Sequence, residues 1–342
     1  MTVIRYAGLM LRAHGPRGRK LLLAAIAVLA AAALAACGSS NSNSSSNTSA
    51  SSGTSSSSST ASTGSGTLIG KGKPPITLGT KDFTEEFILG QLYKQVLEHN
   101  GYTVNYKENI GATEIVDKAL TSGQIDAYPE YTGESVATVF NITTPVTSAQ
   151  QEYNLAEAAY AKRGQAMSQM TPFFDKDGIA TLKTYAQKNG LTTLSDLKKL
   201  SHFVLGARPE FEGRQEGALG MRKVYGINNF TFRSLALGLQ YQALDSGAVN
   251  AADIFTTDPQ LASGKYTVLT DPKGVFGFQN IALVINKAKL AQEGGAQFMA
   301  IINKVNSLLT TPAVIAMNKA VAIDKQSAAT VATSFLKANG LL

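Results

Sequence analysis

One cysteine, Cys37, is the only thiol in this 342-residue chain. Everything that follows it therefore lacks both a disulfide and a thiolate nucleophile. Histidine is nearly as scarce, and neither His99 nor His202 has metal-ligand spacing with another His or Cys. The chain carries no nucleophile elbow, no P-loop and no dinucleotide fingerprint. Asp175 and Asp177 make a carboxylate pair, but no base, acid or metal partner accompanies them. An enzyme is not expected, and neither is a catalytic residue, cofactor or metal. Long apolar runs are missing too, except from Leu21 to Leu34, whose 14 residues are too few to span a bilayer.

That run has a context. Before it stand Arg5, Arg12, Arg17, Arg19 and Lys20 with no acidic residue, and after it comes Leu34-Ala35-Ala36-Cys37-Gly38. A basic start, a short apolar stretch and small residues before a cysteine form the bacterial lipobox pattern. The expectation is a signal peptide over 1–36 and a diacylglyceryl group on Cys37, anchoring an extracytoplasmic protein to the cell membrane. The formal charge of +7 shrinks accordingly: without the leader 26 basic residues face 24 acidic ones, about +2. The basic balance is a targeting signature, and no nucleic-acid partner is expected. From Gly38 to Gly66 the chain is nearly all Ser, Thr, Asn, Gly and Ala, which cannot bury apolar surface. It reads as a tether, extending to residue 74, with a root-mean-square span of about 30 Å. Ser-rich tracts also serve as glycosylated stalks.

The remaining chain alternates short apolar runs with periodic segments, the pattern of an α/β protein. Strands are expected at Ile76 to Gly79, Val104 to Tyr106 and Phe203 to Gly206. Thr84 is placed to cap a helix with Glu85 and Glu86 in its first turn and Gly101 as its stop. Ser148 to Gln151 reads as a capping box opening a helix to about Gln165. Thr193 to Leu197 reads as a short helix entrance. One echo stands out: Ala119-Leu120-Thr121-Ser122-Gly123-Gln124-Ile125-Asp126-Ala127 returns as Ala243-Leu244-Asp245-Ser246-Gly247-Ala248-Val249-Asn250-Ala251, offset by 124. Each copy reads as a helix end, a Gly cap and a strand, and the pair implies two similar lobes. Ligands of open α/β sheets sit beyond the carboxyl ends of strands. The same offset sets Tyr131 against Phe255, and the two rings are expected to face each other across an inter-lobe cleft.

Four stretches carry a family resemblance: Gly79-Thr80-Lys81-Asp82-Phe83-Thr84-Glu85-Glu86, Tyr128-Pro129-Glu130-Tyr131-Thr132-Gly133, Pro209-Glu210-Phe211-Glu212-Gly213-Arg214 and Phe255-Thr256-Thr257-Asp258. They resemble the glycine betaine/choline/carnitine-binding proteins of osmoprotectant ABC importers. The resemblance implies a two-lobed, type II-like periplasmic-binding-protein architecture with two hinge crossings. One lobe would comprise 75–174 and 277–342, the other 175–276. It implies a small-molecule solute and an ABC permease/ATPase complex as partners. In that family aromatic rings cage the trimethylammonium group, which cannot donate a hydrogen bond. Tyr131 matches a cage Tyr, Phe255 falls at another cage position, and Lys81 and Arg214 match anion-binding residues.

The chain also departs from the family. Ile179 and Gln279 stand where cage tyrosines fall, with Phe276 or Phe278 near enough to substitute. Glu134 replaces a Thr that helps hold a carboxylate, and Asp175 and Asp177 add negative charge nearby. Such a cleft favours a hydroxyl, an amine or a second cation over a betaine carboxylate. Arg214 also stands among Glu210, Glu212 and Glu216, where exposed pairing would contribute little. A tethered sensor or adaptor, or an importer subunit for another amine-containing metabolite, would carry the same sequence features.

Overall fold

The computed structural model describes residues 68–342. The leader, Cys37 and the Ser-rich stretch to Thr67 lie outside the described residues. Residues 68–74, expected in the tether, pack against the folded unit instead. The Gly70 N–H donates to the Asn100 carbonyl at 2.9 Å. A Cβ on Gly70 would lie 2.4 Å from Tyr102, so only glycine allows this approach.

Ten strands form among the described residues: β1 (Ile76–Gly79), β2 (Val104–Lys107), β3 (Ala127–Tyr131), β4 (Gln165–Met167), β5 (Asp177–Leu182), β6 (Phe203–Ala207), β7 (Phe230–Ser234), β8 (Ala251–Phe255), β9 (Tyr266–Leu269) and β10 (Ile281–Asn286). They make two five-stranded sheets with orders β2-β1-β3-β10-β4 and β7-β6-β8-β5-β9. Each sheet is mixed: β1 pairs parallel with β2 and β3, and β10 runs antiparallel to β3. In the second sheet β6 pairs parallel with β7 and β8, and β5 runs antiparallel to β8. The chain passes between sheets twice, from β4 to β5 and from β9 to β10, and the two passages touch in a bridge between Phe174 and Asn280.

The 124-residue echo is visible in the backbone. β3 and β8 differ in number by 124 at both ends. Gly123 and Gly247 have φ of 73° and 71°, the left-handed turn that releases each helix into its strand. The Ile125 amide reaches back to Ala119 O, and the Val249 amide to Ala243 O, both at 3.2 Å. Asp126 N–H then donates to Thr77 O at 2.8 Å, and Asn250 N–H to Val204 O at 2.9 Å, docking the two strands identically on β1 and β6.

Apolar runs become strands covered on both faces. All five residues of β3 and the first five of β10 are buried. The helix Thr84–His99 lays Ile88, Leu89, Leu92, Val96 and Leu97 into the first core with Phe298, Ile302 and Leu336 of the C-terminal helices. Phe203, Leu205, Phe211, Met221 and Phe276 build the second core. Some local expectations need correction. Thr84 is the first helical residue, and Phe83 holds the cap position without a side-chain bond. Ser148 Oγ accepts from Gln151 N–H, but Gln151 Oε1 takes the Thr147 amide, one residue upstream. That helix ends at Lys162 because Gln165 joins β4 beside Asn286.

Candidate functional site

The carboxyl ends of β1, β3, β6 and β8 converge on a cavity of about 50 Å³ between the lobes. Lys81, Asp82 and Phe83 follow β1, and Arg208, Glu210 and Arg214 follow β6. Tyr131 ends β3, Phe255 ends β8, and Asp177 opens β5 in register with Phe255. Asp175 and Gln279 enter from the two passages between sheets.

The pseudo-symmetry extends into this site. Leu78 pairs with Ala127 as Leu205 pairs with Ala251, so β1 and β6 correspond at an offset of 127. Lys81 and Arg208 are therefore equivalents. Each lies over the ring that ends the neighbouring strand: Lys81 Nζ is 4.7 Å from the Tyr131 centroid, and the Arg208 guanidinium 5.3 Å from that of Phe255. Phe83 packs against both rings, at 5.9 Å from Tyr131 and stacked at 5.2 Å on Phe255. Tyr131 and Phe255 thus share one aromatic cluster with Phe83 as the common member.

Every cation lining the cavity already has an internal partner. Lys81 pairs with the buried Glu130. Burial disfavours its ammonium, but Glu130, Glu86 and Glu134 outweigh that and raise its pKa. Arg208 grips Asp177 with two bonds of 2.6 and 2.8 Å and reaches Asp253 at 2.5 Å and Glu210 at 3.2 Å. Arg214 bridges the lobes, meeting Glu134 at 2.8 Å and Glu114 at 2.9 Å. Burial works against the Glu134 carboxylate, yet Arg214, Lys81 and Arg208 bring it down to about 2. Five acidic and three basic residues line the cavity, so its balance is negative.

Two further contacts hold the lobes together. Glu85, in the first lobe, accepts the Tyr131 hydroxyl at 2.8 Å, the Thr257 hydroxyl at 2.6 Å and the Asn318 amide at 2.8 Å. Thr257 follows β8 and belongs to the other lobe. Burial raises the Glu85 pKa in spite of these three donors. On the other side Gln279 accepts the Glu134 N–H and donates to Glu216, both at 2.9 Å. A Cβ on Gly133 would lie 2.6 Å from the Gln279 amide, so glycine makes this contact possible.

The family model for the substrate-binding domain of the ABC-type glycine betaine transport system matches residues 74–338. This chain belongs to that family. The family is one of extracytoplasmic substrate-binding proteins of ABC importers, which are not enzymes. The chain is 30% identical over 280 residues to the glycine-betaine-binding protein of Pseudomonas aeruginosa, covering 78% of this chain and 88% of that one. It is also 30% identical over 270 residues to the ergothioneine transport permease/ergothioneine binding protein EgtU of Helicobacter pylori. That match covers 78% of this chain, which spans about half (48%) of the relative's length. The solved structure of apo YehZ from Escherichia coli aligns with a TM-score of 0.57 at 28% identity, over 78% of this chain and 99% of that one.

Within this family member the structure gathers Tyr131, Phe255, Lys81, Arg214, Asp177, Glu134 and Gln279 around one cavity. Phe278 is not among them. It is 36% exposed and lines a separate groove with Glu152 and Gly277. Gln279 turns inward to the Glu134 amide and Glu216, while Phe278 beside it in the passage faces the groove. Phe276 is core, packed on Phe211. Arg214 departs from the exposed pairing with Glu210, Glu212 or Glu216, since its partners come from the other lobe and it is 8% exposed. Sequence reading placed Asp175 near the cleft and missed Phe83 and Arg208. The signal for Arg208 was the echo itself, carried one strand upstream with a three-residue gap.

Proposed function

We propose that this chain is the solute-capturing lipoprotein of its importer. It takes a small quaternary-ammonium or related cationic or zwitterionic solute in the cleft and is held to the membrane through Cys37. One observation carries the reading: an aromatic cluster of Phe83, Tyr131 and Phe255 sits in an acid-rich cleft where every lining cation is already paired. A quaternary ammonium needs ring faces and oxygen charges in place of its water, and this cleft offers both. The solute inserts by parting the Phe83–Phe255 stack. Relatives named for glycine betaine and ergothioneine, both trimethylammonium compounds, support the class.

The charge pattern favours a net cation over a compact zwitterion. A ligand carboxylate would compete with Glu134 for Arg214 or with Glu130 for Lys81, and opposite charges about 4 Å apart attract by about 4 kcal/mol at an effective dielectric of 20. Lobe 1 (75–174 and 277–342) and lobe 2 (175–276) close on the ligand about the two passages, and the loaded protein docks on the permease. A thermal-shift screen of the mature protein against glycine betaine, choline, carnitine and ergothioneine tests the reading. Stabilisation by at least one supports it, and a flat response to all four at millimolar concentration overturns it.

A further inference from the structure

A second cavity of about 170 Å³ adjoins the first and shares Asp82, Phe83, Asp175, Leu237 and Phe255 with it. Its chemistry differs. Asp82, Glu85, Asp175 and Asp258 line it, and no Lys or Arg does. Burial and the neighbouring charges of Glu85 and Asp258 push the Asp175 pKa well up, as expected where carboxyl groups meet without a counter-cation.

Two polar groups point to an occupant. Gln240 is 7% exposed and lines this cavity, yet among the described residues its side-chain amide makes no hydrogen bond. Asp175 is 4% exposed, and both bonds it accepts, from the Thr257 amide at 2.9 Å and the Thr256 hydroxyl at 3.1 Å, go to Oδ1. Its Oδ2 is left without one, on a side chain that lines both cavities. Gln260 Oε1 and Asn318 Oδ1, on residues that line the same cavity, are buried acceptors without a partner among the described residues, and together with the unpaired Asp175 Oδ2 and Gln240 amide they suit a partner rich in N–H donors.

We infer that the second cavity is a subsite for the N–H-bearing end of an elongated solute whose quaternary ammonium sits against the rings of the first. This rests on the quaternary-ammonium reading above and makes it narrower: the protein selects against compact betaines. Charge-assisted hydrogen bonds to Asp175 and an amide bond to Gln240 provide the selection.

A matched pair of probes tests it by titration calorimetry on the mature protein. (3-Aminopropyl)trimethylammonium and butyltrimethylammonium have the same length, and only the first ends in an N–H donor. The aminopropyl compound is expected to bind about tenfold more tightly or better, the scale of one charge-assisted hydrogen bond. In Asp175→Asn, which removes the charged partner, that preference should fall to within about threefold, and Gln240→Leu, which removes a neutral one, should lower it by a smaller factor. If neither variant folds, the wild-type pair decides alone. Equal affinities in the wild type would overturn the subsite and leave the aromatic cleft standing. Failure of both probes to bind would overturn the quaternary-ammonium reading and the subsite with it.

Discussion

Replacing Tyr131 separates the ring from its hydroxyl, and the structure assigns the two different tasks. The hydroxyl donates to Glu85 Oε1 at 2.8 Å, and both residues are buried, 5% and 3% exposed. Tyr131→Phe leaves that carboxyl oxygen without a partner. A hydrogen bond to a charged group contributes about 1.5–3 kcal/mol, so Tm should drop by roughly 3–12 °C at 2–4 °C per kcal/mol. The ring survives, and with it the π face offered to a cation, so affinity for a quaternary ammonium should stay within about threefold. Tyr131→Ala removes both. A desolvated cation over an aromatic face gains about 2 kcal/mol, so affinity should weaken by about 30-fold or more. Calorimetry gives the affinities and circular dichroism the melting points. If Tyr131→Phe weakens binding as much as Tyr131→Ala, the hydroxyl and not the ring engages the ligand, and the aromatic reading is wrong.

Three other predictions follow from neighbouring groups. Glu134→Thr strips Arg214 of its 2.8 Å partner, so the affinity ratio of glycine betaine to choline should rise about tenfold, read by competition titration. Asp258 is raised to about 6, chiefly by burial, while its Oδ2 accepts from Phe255 N–H and the Tyr241 hydroxyl. The folded state therefore holds this proton more tightly than the unfolded chain, and the stability it adds below about pH 4 is lost as pH rises through about 6. Asp258→Asn keeps both bonds and should flatten the fall in Tm between pH 4 and 6 that the wild type shows in parallel melts. Cys37→Ser should move the protein from the detergent to the aqueous phase on partitioning, because two acyl chains give stable membrane attachment; equal partitioning would remove the lipoprotein reading.

Much of the fold was legible because local chemistry and tertiary structure agree. Apolar runs bounded by Gly became β1 and β6, and the repeated Leu-x-Ser-Gly turn set β3 and β8 at matching places in two sheets. From the internal echo alone the site was legible only where residues end those strands; Lys81, Arg214, Glu134 and Gln279 came from the family resemblance. Tyr131 and Phe255 share the 124 offset, but Lys81 and Arg208 correspond at 127, so a comparison without gaps passes over Arg208. Phe278 was misplaced because it lies in a passage between sheets, where neither helix nor strand period says which way a side chain points; Gln279, turning toward Glu134, takes the inward place. Pairing was hidden too: Arg214 has three acidic neighbours in sequence and chooses Glu114, 100 residues away, and Glu134, 80 residues away.

The most direct test of the central claim is the binding isotherm of choline against that of its isostere 3,3-dimethyl-1-butanol, which has the same shape and no charge. If rings and acids of the cleft recognise a quaternary ammonium, choline saturates the protein and the neutral isostere binds at least ~30-fold more weakly. Equal affinities of the two compounds would contradict the account.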